Sequence, residues 1–527
     1  MARADAPAAQ QIFFGAALFL SSAGGLVIEI VAGRLIAPYV GMSLYTWTAI
    51  IAVVLAGLSV GHWIGGRLAG VHVGAAEGAR RSALALALAA VSALASLVLL
   101  RALSGPLLTS GLGPVPAIVV LTSALFFLPS LFVGVVAPIL TKLAVDARPD
   151  APGPVIGRMY ALGTLGSIAG TLAAGYVMIS WVGSAGTVFI VVAVYAGLAV
   201  AFGALSRRRS AGIGLILLVA AGGAFGIWGQ TVKAFQSPCE VESDYFCIRV
   251  DDFTAESGRA SALMALDHLV HSINDRDDPG ILYSPYIHLV DELARRRFTD
   301  AAPFGAYFIG GGGYSLPRAW SRDFPRARLL VAEIDPAVTD VARRMLWLDT
   351  GAPGLDIRHR DARTLLSEQP REPSFDVVFG DAFHDISIPA HLVTREFHAE
   401  IAARLKPGGF YAVNVVDASH RPRFLFALLR TLKLDFPAVE VWAEADEFLA
   451  AQTGGNRRVT YIVVAGAEAT GAGRVGATRG IRRSWIKWPA DNLGKRLARA
   501  GPPVLTDDFA PVDRLMADLL LDDGSSP

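Results

Sequence analysis

Cysteine and charge are scarce in this 527-residue chain, and each scarcity excludes something. The only two cysteines, Cys239 and Cys247, rule out a disulfide-dense scaffold. Eight residues apart, they are either two buried thiols or one disulfide closing a small loop outside the cytoplasm. His268, His271, His288, His384 and His391 are scattered without tight ligand spacing, so no metal is expected. Forty-seven basic against 46 acidic residues give a net charge of +1, which offers no basic face, so no nucleic acid is expected. With 18% charged and 53% hydrophobic residues and a mean hydropathy of +0.46, the chain is too apolar to be wholly soluble.

The apolar excess lies before residue 232. Seven runs, near 12–36, 44–66, 83–103, 115–141, 159–181, 186–205 and 211–230, approach or exceed the ~20 residues that cross a bilayer as a helix. The first lacks a basic leader and a small-residue cleavage site, so it reads as a span and not a signal peptide. Basic residues collect in alternate connections: Arg67, Arg80 and Arg81; Lys142, Arg148 and Arg158; Arg207, Arg208 and Arg209. The positive-inside rule puts these in the cytoplasm, and an odd number of spans then delivers the second half outside. Pro129 and Pro138 leave open a reading of 115–141 as two re-entrant pieces, which would reverse that outcome. Gly57, Gly61 and Gly65, and Gly166 with Gly170, repeat every four residues and predict close helix packing. Glu29, deep in an apolar run, needs a partner or a polar cavity. Arg34 on the same helix, or Arg67 or His62 from a neighbour, would make a buried ion pair; a path for a cation is the alternative.

The second half is organised around residues 306–335. A short apolar run enters Gly310, Gly311, Gly312 and Gly313, a helix follows, and a second strand ends on Glu333 and Asp335. Glycines tighten such a turn and bring bare backbone N–H groups to a ligand, while a carboxylate after the second strand can accept from both ribose hydroxyls. A purely structural turn is the alternative. Helix and strand then alternate: a helix at 336–348, a strand at 355–359 leading to Asp361, a strand at 375–380 leading to Asp381, a helix at 389–405, then strands at 410–416, 439–442 and 459–464. This predicts a parallel, doubly wound sheet with Glu333, Asp335, Asp361 and Asp381 at its carboxyl edge. Shorter alternating runs before it predict a small antiparallel β-hairpin subdomain. The expected division is a multi-pass α-helical membrane domain (1–232), the small β subdomain (233–280), an α/β Rossmann-like domain (281–510) and a polar tail (511–527).

These residues carry a family resemblance. The second half resembles the spermidine synthase (polyamine aminopropyltransferase) family, and the whole chain resembles its bacterial membrane-fused form, described as fused major-facilitator and spermidine-synthase-like proteins. The likeness covers residues 12–465 and rests on GLVIEIVAGRLIAPYVG, LGTLGSIAGTLAAGY, LDHLVHS, FIGGGGYS, VAEID, the pair Asp361-Ala362 and GDAFHDISIPAHLVTREF. It implies a sheet of the S-adenosylmethionine-dependent methyltransferase type. It also implies displacement by a primary amine at the methylene beside the sulfonium of decarboxylated S-adenosylmethionine. Carried over by position, Glu333 would hold ribose, Asp361 and Ala362 the adenine, and Asp381 would be the catalytic acid, with Tyr283 or Tyr286 as the pocket tyrosine. Three positions depart from the family. Gly313 stands where it has an aspartate for the aminopropyl ammonium, His271 replaces a glutamine, and His384 replaces the second loop acid, with Asp385 one place late. His271, His384 and Asp385 are therefore acceptor-site candidates.

The resemblance implies a transferase of the bacterial inner membrane, possible as a homodimer, using decarboxylated or intact S-adenosylmethionine and an amine or polyamine. The soluble half is expected on the extracytoplasmic side, with the lipid bilayer as partner. The alternatives are a methyltransferase, a silent polyamine- or nucleoside-binding module that regulates or gates the membrane half, and a polycation transporter running past Glu29.

Overall fold

The computed structural model describes residues 5–70, 72–206, 209–298, 303–383, 387–453 and 457–521. Arg207, Arg208, His384, Asp385 and residues 522–527 lie outside these. The chain divides into two compact units, Met1–Asp244 and Tyr245–Pro527.

The first unit is helical: α1 (Asp5–Val40), α2 (Leu44–Leu68), α3 (Ala75–Leu108), α4 (Pro114–Asp146), α5 (Pro152–Ala173), α6 (Ile179–Ser206) and α7 (Arg209–Thr231), followed by a short strand, β1 (Val241–Glu242). Among the described residues, five helical stretches are long and apolar enough to cross a membrane. One of these, Pro152–Ser206, joins α5 to α6 through a π-helical turn at Ala174–Met178 and is broken at Gly183, where φ is 71°. At 1.5 Å per residue, its 55 residues would measure about 80 Å if straight, more than twice a ~30 Å hydrocarbon core. The break at Gly183 therefore leaves room for a crossing on either side of it.

Helix α4 is continuous through Pro129 and Pro138, so the two-piece re-entrant reading of 115–141 is incorrect. Its neighbour α2 packs against it backbone to backbone. A Cβ on Gly61 would lie 2.1 Å from the Leu131 carbonyl oxygen, and one on Gly65 would lie 2.5 Å from that of Val135. Gly166 and Gly170 similarly approach the Phe19 and Ala23 carbonyls of α1. The ion pair expected around Glu29 is not formed among the described residues. Arg34 donates to the Ser243 carbonyl, and the Arg67 guanidinium stacks on the Trp63 ring at 3.6 Å.

In the second unit β2 (Cys247–Asp252), β3 (Ser261–Leu266) and β4 (Leu269–Asp275) are antiparallel neighbours. Asp267, with φ of 53°, makes the turn between the last two. Nine further strands form one sheet: β5 (Gly305–Ile309), β6 (Arg328–Glu333), β7 (Leu355–His359), β8 (Phe375–Gly380), β9 (Leu405–Ala418), β10 (Ala438–Glu444), β11 (Arg458–Gly466), β12 (Arg474–Gly476) and β13 (Ser484–Lys487). Their order is β12-β13-β10-β11-β9-β8-β5-β6-β7. The five strands from β7 to β9 are parallel. Beyond them β11 runs antiparallel to both β9 and β10, so the sheet is mixed and not parallel throughout. The helix Ala445–Thr453 returns the chain beside β10 without a crossover, which is how antiparallel neighbours are joined. Strand order reverses between β5 and β8, and in such sheets that reversal opens a crevice at the carboxyl ends.

Neither cysteine is a free thiol; both are disulfide-bonded. The polar tail expected from residue 511 is partly core instead. Val512 and Met516, with Leu505 before them, are buried among the helices on one face of the sheet.

Candidate functional site

Strands β5 and β8 end side by side. The Asp381 N–H donates to the Ile309 carbonyl at 2.9 Å, and a Cβ on Gly310 (φ 95°) would lie 2.8 Å from the Asp381 carbonyl oxygen. Only glycine fits that backbone and that gap. One strand over, Glu333 closes β6, buried, with its carboxylate under the glycine turn. Oε2 accepts from Gly311 N at 2.9 Å and Gly312 N at 3.3 Å, and Oε1 accepts from Asp335 N at 2.9 Å. These turn N–H groups are therefore not bare, as the glycine pattern had suggested; Glu333 takes them. Burial pushes the Glu333 carboxyl up, and the three N–H donors pull it the other way. A carboxylate offers about four acceptor directions, so one remains on Oε1.

Asp335 is not at the site. It is buried as the N-cap of the helix Pro336–Met345, its Oδ1 accepting from Ala337 N at 2.9 Å. Asp361 is both cap and site residue. Oδ1 caps the helix Ala362–Glu368 through Thr364 N at 2.9 Å and Oγ1 at 3.0 Å, while Oδ2 meets His391 Nε2 at 2.8 Å. Burial alone would raise its carboxyl, but Thr364 and His391 outweigh that and hold it below the usual range.

Asp381 is the perturbed acid. Burial pushes its carboxyl up to about 7, against hydrogen bonds from Asn414 and Tyr286 that favour the ionised form. Asn414 Nδ2 lies 2.8 Å from Oδ1. A carboxyl half-ionised near neutrality and held by two donors suits proton acceptance.

Gly310, Gly312, Glu333, Asp361, Ala362 and Asp381 line one cavity of about 210 Å³, with apolar walls from Ile334, Leu392 and Phe246. His271 reaches it from β4, and burial, with His268 and Arg458 nearby, lowers its pKa to about 4, so it is neutral at pH 7. His391, which is not among the residues expected at the site, also lines it. Gly311, Gly313 and Tyr283 do not; the Tyr283 hydroxyl stands 3.4 Å from Asp275. A Cβ on Gly313 would fall 1.9 Å from Ser272 Oγ, so the space of any larger side chain is already filled. His384 and Asp385 lie outside the described residues. No group of three His, Cys, Asp or Glu side chains placed to hold a metal ion occurs among the described residues.

Tyr286 joins this cavity to a second. Its hydroxyl is bonded to Asp381, and its ring lines a space of about 50 Å³ with Trp442, Trp485, Glu444 and Glu447. Glu447 Oε1 accepts from Thr460 N at 3.0 Å, and burial raises its pKa. The sequence reading missed both glutamates. Their signal was the one used for the other acids, since Glu444 ends β10 and Glu447 lies three residues beyond it.

No family model matches the chain. It is 30% identical over 139 residues to a polyamine aminopropyltransferase of Vibrio vulnificus (strain CMCP6), covering 26% of this chain and 45% of that relative. It is 29% identical over 123 residues to a probable polyamine aminopropyl transferase of Bifidobacterium longum (strain NCC 2705), covering 23% and 26%. The chain thus spans less than half the length of these relatives. Among solved structures it is similar to a probable spermidine synthase from Corynebacterium glutamicum ATCC 13032, with 20% identity, 52% of this chain and 97% of that one covered, and a TM-score of 0.43. Spermidine synthase from Thermotoga maritima gives 21% identity, 40% and 67% coverage, and a TM-score of 0.31.

Proposed function

We propose that the chain is a membrane-embedded aminopropyltransferase, with the crevice at the ends of β5, β6 and β8 as its active site. The observation that carries this is Asp381, held by Asn414 and Tyr286 between the two cavities with its carboxyl at about 7. The likeness to polyamine aminopropyltransferases supports the reaction class.

The residues fit a nucleoside. Glu333 keeps one acceptor direction for ribose hydroxyls, and Asp361 keeps one on Oδ2 for an adenine amino group, with Ile334 and Leu392 as apolar walls. When bound, decarboxylated S-adenosylmethionine would supply a methylene activated by its neighbouring sulfonium. A neutral amine attacks that carbon; the C–N bond forms as the C–S bond breaks, the electron pair goes to sulfur, and methylthioadenosine leaves. The surplus proton on nitrogen passes to Asp381, which Tyr286 and Asn414 keep oriented. The rings of Trp442, Trp485 and Tyr286 would flank the acceptor's methylenes, and Glu444 or Glu447 would take its far ammonium.

One observation favours a second reading. The filled space at Gly313 leaves no room for a carboxylate against an aminopropyl ammonium, which suits methyl transfer from intact S-adenosylmethionine. The two separate on their products. Full-length protein in detergent, given either donor and a panel of di- and polyamines, is expected to release methylthioadenosine; S-adenosylhomocysteine instead would establish methyl transfer, and tight donor binding without turnover would favour a sensor.

The alternating basic connections support a soluble unit on the extracytoplasmic side, as do two disulfide-bonded cysteines, which persist in oxidising compartments.

A further inference from the structure

Away from the Asp381 crevice, a cavity of about 550 Å³ opens where β9 gives way to the helix Arg423–Leu432. It shares no lining residue with either cavity of the proposed active site. Arg421, Arg423, Arg496 and Arg499 line it with His420, and no carboxylate stands among its lining residues. Of the four guanidinium groups around this one open space only Arg423 has a carboxylate partner among the described residues, so the positive charge of the others favours an entering anion.

The fold brings them there from two sides. On one wall the turn after β9 is fixed by Asp417, whose Oδ2 accepts from Leu425 N at 2.9 Å, and by Arg423 N donating to the Arg421 carbonyl at 2.8 Å. Asp417 thus occupies a helix N-terminal amide, which leaves recognition to the arginine side chains. On the other wall the helix Ala490–Ala500 presents Arg496 and Arg499, three residues apart and so on one face, before Gly501 (φ 53°) and Pro502 turn the chain. The guanidinium of Arg496 is held in place. It donates to the His420 carbonyl at 2.9 Å and lies over the rings of Trp488 at 5.0 Å and Phe426 at 5.6 Å. Arg423 has an ion-pair partner, Asp518, at 3.3 Å. Arg421 and Arg499 are exposed and make no side-chain ion pair or hydrogen bond among the described residues. The cavity therefore combines one immobilised guanidinium, one partly neutralised and two uncommitted, beside an apolar shelf of Pro503 and Leu515.

We propose that this cavity is a binding site for a ligand carrying at least two phosphoryl groups. Arginine forks match phosphate oxygens in pairs, and phosphate-bearing ligands are what planar guanidinium clusters select over single carboxylates. The chemistry is shared by a soluble diphosphate and a lipid headgroup with two phosphates, and the test separates them.

Full-length protein in neutral detergent is titrated with inorganic diphosphate, with inorganic phosphate and with ADP by calorimetry, at low and at high salt. Diphosphate and ADP are expected to bind at least tenfold tighter than phosphate, and to weaken as salt rises. Arg421→Ala with Arg499→Ala is expected to lower that affinity at least tenfold while leaving methylthioadenosine binding and the melting temperature unchanged; both side chains are exposed, so folding is not at stake. Displacement of diphosphate by cardiolipin, whose headgroup carries two phosphates, in mixed micelles, but not by phosphatidylcholine, would identify a headgroup as the source; no displacement by either would identify a soluble ligand. Absence of diphosphate binding to the unsubstituted protein, or binding that survives the double substitution, overturns the proposal.

Discussion

Ser272 Oγ occupies the position into which any side chain on Gly313 would grow, 1.9 Å from where its Cβ would sit. Gly313 is further tied through its carbonyl, which accepts from Asn274 Nδ2 at 2.6 Å. The glycine at this point of the turn is thus enforced by β4.

Gly313→Asp is therefore expected to destabilise by about 1–3 kcal/mol, the scale of forcing atoms into filled space. Ser272→Gly combined with Gly313→Asp should recover much of that, because the double substitution removes the obstructing hydroxymethyl. Thermal melts of the three variants in detergent check this; equal melting temperatures for both aspartate variants would refute it.

The Asp381 carboxyl predicts two opposite pH effects. As a base it must be ionised, so turnover rises with pH through about 7. Stability runs the other way. The folded carboxyl is raised above its unfolded value, so between pH 4 and 7 the folded chain holds a proton that the unfolded chain has lost, and this stabilisation fades as pH climbs through about 7. Asp381→Asn removes the ionisation. It should raise the melting temperature by a few degrees at pH 8.5, about 2–4 °C per kcal/mol, and by less at pH 5, where only part of the window has been crossed. A melting temperature lowered at pH 8.5 would contradict the assignment.

Asp417 is a second acid pushed up to about 7 by burial, and its role is structural. It accepts from Ala418 N at 2.7 Å as well as Leu425 N, pinning the turn after β9 to the helix that follows. Asp417→Ala is expected to cost about 1–2 kcal/mol, as for a lost helix cap, measured by denaturant melts of the full chain. Its effect on turnover should follow the loss of folded protein and no more.

How far the sequence spoke depends on the kind of signal. The strand ends carrying Glu333, Asp361 and Asp381 were legible because strand–helix alternation places acids at one sheet edge regardless of side-chain detail. What those acids bond was not. Asp335 caps a helix through Ala337 N two residues on, and Glu333 takes the N–H groups of a turn 21 and 22 residues earlier that the fold sets over it, contacts that patterning alone cannot see. The antiparallel placing of β11 was invisible for a related reason, since a buried strand shows the same apolar run in either direction. Val512 and Met516 were misread as tail because acidic neighbours masked two apolar positions one helical turn apart.

The topology makes a chemical prediction. On the proposed extracytoplasmic placement, the disulfide-bonded Cys239 and Cys247 should resist a membrane-impermeant alkylating reagent on intact cells until a reductant is added, and then label. Labelling without reductant would argue for free thiols, and labelling only after lysis would place them in the cytoplasm.

The most direct test of the active-site assignment compares the full chain with Asp381→Asn at pH 8 for methylthioadenosine release from decarboxylated S-adenosylmethionine and a diamine. Loss of a positioned base predicts a rate lowered by about 10²–10⁴-fold, with methylthioadenosine binding retained. Equal rates from the two proteins would contradict the account.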